Sequence, residues 1–193
     1  MAVIQDPPKN ANRTFLQLKF DEGIKIEQWL GEKNYKEIQS RLFIGNLIGV
    51  LFKEFEGKKG ISHEVSLILA DSDEQVILKM NLNNVVKMIL NKIWGLEPGT
   101  NISLSFFTDK EKGHAVASIK IGDKEADRSF DKDKMPWDAK EKWTKLAKAL
   151  ADKYKSFKPV DELDTWAEKA QTLDVPKAEP EPEPIEADDD LPF

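Results

Sequence analysis

For most of the first 121 residues the apolar positions recur with period two. Phe15, Gln17 and Lys19 alternate with Leu16, Leu18 and Phe20, and after the turn Asp21-Glu22-Gly23, Ile24, Ile26 and Gln28 alternate with Lys25, Glu27 and Trp29. Two such runs joined by a short polar turn predict a hairpin over residues 13–30. Residues 31–39 are polar and predict a short helix or a loop. Residues 42–44 and 47–55 are rich in β-branched and aromatic types, with Gly45 and Gly49 placed where a strongly bent strand needs a bulge or a close backbone approach. Strands at 64–70 and 75–82 follow, joined by Asp71-Ser72-Asp73-Glu74. In these strands and the later one at 102–108, Val65, Leu67, Leu69, Val76, Leu78, Met80, Ile102, Leu104 and Phe106 are expected to point inward, leaving Lys79 and Phe107 outward.

The period changes at residue 83. Val85, Val86, Ile89, Ile93 and Trp94 recur at helical spacing, Asn83 or Asn84 is a suitable N-cap, and Gly95 a suitable stop. Strands resume at 102–108 and 114–121. Beyond Asp123 the chain is charged and helical: Asp138 with Glu141 resembles a capping box, and Trp143, Leu146, Ala147, Leu150 and Tyr154 form a stripe suited to docking on a barrel. A further short helix is expected from Asp161 to Trp166. Residues 1–12 predict a loose arm, and the Glu-Pro alternation of 177–184 an extended, disordered segment.

Three strands, a helix and two strands are the element order of the OB-fold, a five-stranded barrel. The expected architecture is therefore mainly β: an OB-fold barrel with an added N-terminal hairpin, a capping helix, C-terminal helices and a disordered acidic tail. Its divisions are an arm (1–12), a nucleic-acid-binding domain (13–125), a helical extension (126–175) and a tail (176–193).

Charge changes this picture more than composition does. The net charge of −6 divides unevenly: residues 1–158 hold 27 Lys or Arg against 23 Asp or Glu, or +4, and residues 159–193 hold 2 against 12, or −10. A mildly basic body with an acidic tail is the asymmetry expected when one part meets phosphate and the other meets protein. There are no cysteines, which excludes disulfides, thiolate metal sites and Cys nucleophiles. With no apolar N-terminal leader and no run of 18 apolar residues, a soluble, unexported protein is expected.

The tail ends Asp188-Asp189-Asp190-Leu191-Pro192-Phe193. A terminal Phe carries its ring and the main-chain carboxylate on one residue, beside three side-chain carboxylates and a proline that fixes φ. Such an end can be captured with the ring in an apolar pocket and Arg or Lys on the carboxylates. These six residues resemble the acidic C-terminal tip of single-stranded DNA-binding proteins of bacteria and their phages. The resemblance implies a body that binds the strand and a tip that recruits replication, recombination or repair proteins. It also implies a cytoplasmic location in a bacterial cell or a phage-infected host, and leaves homo-oligomerisation open. The body carries no matching signature, and its Glu-Pro linker departs from the family's Gln- and Gly-rich one, which points to a divergent or phage-type member.

Binding unpaired nucleotides needs cations along the phosphates and flat rings for the bases. The strand candidates are Phe15, Lys19, Trp29, Lys53, Phe55, Lys79, Phe107 and Lys120; the loop candidates are Lys58, Lys59, Lys110 and Lys112. Enzyme chemistry finds little support. His63 and His114 lack metal-ligand spacing and read as surface strand residues, no phosphate-cradling Gly-Lys-Ser/Thr loop or Gly-x-Ser-x-Gly elbow occurs, and no cofactor or metal is expected. Two alternatives remain open: an adaptor whose barrel binds protein and not DNA, and a metal-dependent nuclease built on Asp71, Asp73 and Glu74.

Overall fold

The computed structural model describes residues 12–155, apart from 22, 33, 58–59 and 73. All of them lie in one compact unit, Met1–Val160. The chain opens with β1 (Asn12–Lys19) and β2 (Lys25–Trp29), as the alternation predicts, followed by a short β3 (Tyr35–Glu37) where a helix or loop was expected. The long β4 (Leu42–Gly57) then pairs with β5 (Gly60–Asp71), which pairs with β6 (Glu74–Asn81). Helix α1 (Asn84–Ile93) leads to β7 (Asn101–Thr108), β8 (Ala115–Ile121), a two-residue β9 (Lys124–Glu125) and helix α2 (Lys140–Lys155).

The strands form one mixed sheet in the order β3-β2-β1-β6-β5-β4-β7-β8-β9. Each neighbouring pair is antiparallel except β1 and β6, which run parallel with Phe15 opposite Ile77. The sheet is mainly β architecture as expected, but it is open. Among the described residues β8 pairs with β7 and β9, and β6 with β5 and β1, so no ladder joins β6 to β8. The parallel N-terminal strand occupies the edge of β6 instead.

The bend in β4 follows from its glycines. The register shifts between Leu47 and Gly49, and a Cβ on Gly49 would stand 2.6 Å from the Cδ1 of Ile68. The extra residue changes which positions face the core: Leu47 and Val50, three apart, are both buried in it. One strand serves two ladders, pairing with β7 through Leu42 to Asn46 and with β5 from Asn46 across the bulge to Gly57.

One face of the sheet carries the core. Leu16 and Leu18 of β1, Val65, Leu67 and Leu69 of β5, Leu78 and Met80 of β6, Ile102, Leu104 and Phe106 of β7 and Ile119 of β8 pack with both helices in one cluster. Every position expected to point inward does so. Helix α1 is capped by Asn83, whose side chain accepts from the Val86 N–H at 3.1 Å, and buries Val85, Val86, Ile89, Leu90 and Ile93. Helix α2 begins at Lys140, so Asp138 precedes its first turn and the expected capping box does not form there. Its stripe of Trp143, Leu146, Ala147, Leu150 and Tyr154 is buried in the same cluster as the strands, which makes α2 part of the core and not an appended element. Trp143 stacks on Trp137 with centroids 5.5 Å apart and donates its indole N–H to the Pro136 carbonyl at 2.9 Å.

Candidate nucleic-acid interface

Among the described residues, neither helix packs on the opposite face of the sheet. Strand alternation places there every strand candidate identified from the sequence. Lys79 stands beside Gln17 of β1 and Ser66 of β5, Ser66 faces Leu51 of β4, and Lys53 and Phe55 continue along β4 on the same side. Phe15, Lys19 and Trp29 belong to this face through the pairing of Gln17 with Glu27. On the other side of β4, Ile44 faces Ser103, which faces Lys120, and Phe107 lies two positions beyond Ser105.

Phe106 and Phe107 divide as adjacent strand residues must: Phe106 is 2% exposed and Phe107 46%. Phe55 is 40% exposed. Phe15 and Trp29 are half-buried and meet edge-on, with centroids 5.9 Å apart and planes at 88°. None of these four rings belongs to the helix-covered cluster or to the side chains packed against it.

Two of the strand lysines are tied to acids, which alternation alone does not reveal. Lys19 reaches Glu27 at 2.7 Å and Lys79 reaches Glu64 at 3.0 Å, both carboxylates being almost buried. Glu27 holds a second ammonium, Lys25, at 2.7 Å. Hydrogen bonds from Lys19 and then Lys25 keep the Glu27 carboxyl below its ordinary pKa, and Glu27 in turn raises that of Lys25. One carboxylate thus fixes two cations on the outward face, at the cost of half their combined charge.

The loops divide between described and undescribed residues. Between β7 and β8, Lys110 and Lys112 are exposed on a tight turn: the Asp109 side chain accepts from the backbone N–H of Glu111 at 2.9 Å and of Lys112 at 3.1 Å. Those two bonds, Lys112 first, hold the Asp109 carboxyl below its ordinary pKa. Lys58 and Lys59 lie outside the described residues, as do Asp188, Asp189, Asp190, Leu191, Pro192 and Phe193 and the helix expected from Asp161. The β4–β5 and β7–β8 loops lie toward opposite ends of β4: Gly57 pairs with Gly60 at one, and Leu42 with Ser105, three residues before the end of β7, at the other.

Sequence reasoning missed Arg13, Lys25 and Tyr35 on this face. Lys25 shares its alternation with Glu27 and Trp29, so the pattern that selected Trp29 would have found it. Tyr35 lay in a segment whose strand is too short to alternate visibly. Leu42 and Ile44 are 51% and 56% exposed on the outward side of β4. His63 departs from its surface reading: its side chain is 9% exposed, with Nε2 3.1 Å from a Glu54 oxygen and the ring stacked on Phe52.

Asp71 and Glu74 pair across the end of the β5–β6 ladder, Asp73 lies outside the described residues, and among those residues no group of three or more acids and histidines could hold a metal. Among the described residues no helix is long and apolar enough to cross a membrane. Neither a family model, nor a curated protein, nor a solved structure matches the chain.

Proposed function

We propose that the protein binds single-stranded DNA without strong sequence preference on the outward face of its sheet, and recruits replication, recombination or repair proteins through residues 188–193. The observation that carries the first half is the gathering of Phe15, Trp29, Phe55 and Phe107 with Lys53, Lys79 and Lys120 on one face that no described helix covers. Rings give sequence-tolerant stacking because every base has a π-face, and lysines supply the salt-dependent attraction to phosphate. The second half rests on the resemblance of the tip to that of bacterial and phage single-stranded DNA-binding proteins.

Strands β4 to β8 with α1 have the element order of an OB-fold, and β4 pairs on both sides as its first strand would. The fold we infer is an OB barrel whose closing seam is left open, with the N-terminal hairpin seated on the free edge of β6. The protein performs no chemistry in this account. It covers and straightens exposed strand and brings enzymes to it.

A fluorescence titration with oligo-dT and with duplex of the same length, at several salt concentrations, tests the body. Tight binding to oligo-dT, weak binding to duplex and a steep loss of affinity with salt are expected. No binding at low ionic strength would leave the adaptor as the standing account, and cleavage in magnesium would leave the nuclease. Removing residues 188–193 is expected to abolish retrieval of partner proteins while leaving oligo-dT binding intact.

A further inference from the structure

We infer that the strand path crosses the sheet onto the N-terminal hairpin, which supplies a second set of base platforms ending at Tyr35. This rests on the proposed binding of single-stranded DNA and assigns its course. The pairing of six strands carries it. On the outward face Gly49 of β4 pairs with Ile68 of β5, Ile68 with Ile77 of β6, and Ile77 with Phe15 of β1; Phe15 meets the ring of Trp29 on β2, and Trp29 pairs with Tyr35 of β3. These six positions form one row running across the strands.

The row changes character along its length. Gly49 has no side chain and Ile68 and Ile77 are buried, at 0% and 5% exposure, so this end fixes the register of the row but offers a strand almost no side-chain surface. Phe15 and Trp29 are half-buried and Tyr35 is 46% exposed, so the other end rises into three rings. None of the three rings belongs to the core cluster or to the side chains packed against it, so core packing does not account for this end of the row. Three partly exposed rings side by side on a sheet face that no described helix covers are expected to meet a ligand.

Charge selects the ligand. Lys79, Lys19 and Lys25 lie on one side of the row and Arg13 on the other, where its Nε donates to Gln75 at 3.3 Å. The carboxylates between them, Glu27 and Glu64, are already engaged by Lys19, Lys25 and Lys79. Four cations against three carboxylates, Glu27 and Glu64 occupied and Glu37 opposite Glu27 on β3, together with the three rings, favour a polyanion with flat, stackable groups over an acidic peptide, which would leave the rings unmatched. Five inter-strand steps of about 4.8 Å make the row about 24 Å long. At about 3.4 Å per nucleotide of a stacked strand, that admits at most about seven nucleotides, and fewer if the strand is extended.

Trp29 makes this testable on the full-length chain. The other described tryptophans, Trp94, Trp137 and Trp143, are in or against the core on the far face. Oligo-dT of eight nucleotides is titrated into wild type, Trp29→Phe, Tyr35→Ala and Tyr35→Trp, with circular dichroism melts as the folding control. Trp29→Phe keeps a stacking ring, so it should lose most of the fluorescence quenching with affinity within about two-fold. Tyr35→Ala should bind about five-fold or more weakly, and Tyr35→Trp should enlarge the quenching. Unchanged quenching in Trp29→Phe, with Tyr35→Ala binding like wild type, would overturn the hairpin path while leaving the proposed function standing. Absence of oligo-dT binding by the wild type would remove both.

Discussion

The two faces of this sheet are built from the same strands and the same alternation, yet they have opposite designs. On the helix-covered face Val65, Leu67, Leu78, Ile102 and Leu104 are fully buried and purely apolar. On the outward face rings stand at 40–46% exposure and carboxylates are paired with lysines whose ammoniums remain at the surface. A sheet that needed only stability would cover its second face or make it uniformly polar. Aromatic side chains kept partly in water beside fixed cations are what the proposed binding of unpaired nucleotides requires, so the difference between the faces is the basis of that proposal.

The largest effect that separates the faces is expected in the core. Trp143→Ala should destabilise by about 3–5 kcal/mol, measured by urea unfolding, because it removes a fully buried ring and its partner for Trp137. Gly49→Ala comes next, at about 1–3 kcal/mol, since the new Cβ would meet Ile68 in a bulge that both faces depend on. Phe107→Ala should reverse the balance: stability within about 0.5 kcal/mol of wild type, with oligo-dT binding weakened by about 1–3 kcal/mol in a titration. A Phe107→Ala variant that unfolds early and binds normally would erase the distinction between the faces.

The smallest effect concerns Glu27. Its folded pKa is lowered, so it contributes stability that is present above the unfolded value of about 4.3 and is lost as pH falls through the folded one. Glu27→Gln lacks this term, so its stability relative to wild type should improve progressively below about pH 4.5 in unfolding curves taken from pH 7 to pH 3. The same variant frees Lys19 and Lys25 for phosphate and should steepen the salt dependence of binding at pH 7.

Much of the fold was legible because alternation and helix period report directly on which side chains are buried. The bulge in β4 could be read from Gly45 and Gly49, the cap of α1 from Asn83, and the docking of α2 from its apolar stripe. Closure of the sheet could not be read. Element order is the same for a barrel and for an open sheet, and only long-range pairing decides that β1 and not β8 lies beside β6. Strands β3 and β9, three and two residues long, carry too few positions for a period to register.

The site divides in the same way. Phe107 was legible from its neighbour Phe106, since both cannot face inward. The ion pairs of Lys19 and Lys79 with Glu27 and Glu64 were not, because the second pair joins β5 to β6 through a register that alternation leaves free. Tyr35 gained its place only from the pairing with Trp29.

Ultraviolet crosslinking of oligo-dT to the full-length chain, followed by mapping of the modified peptides, asks directly which face meets the strand. The account predicts adducts on peptides carrying Phe15, Trp29, Phe55 or Phe107. Adducts confined to peptides carrying Trp94, Trp137 or Trp143 would place the strand on the helix side and contradict it.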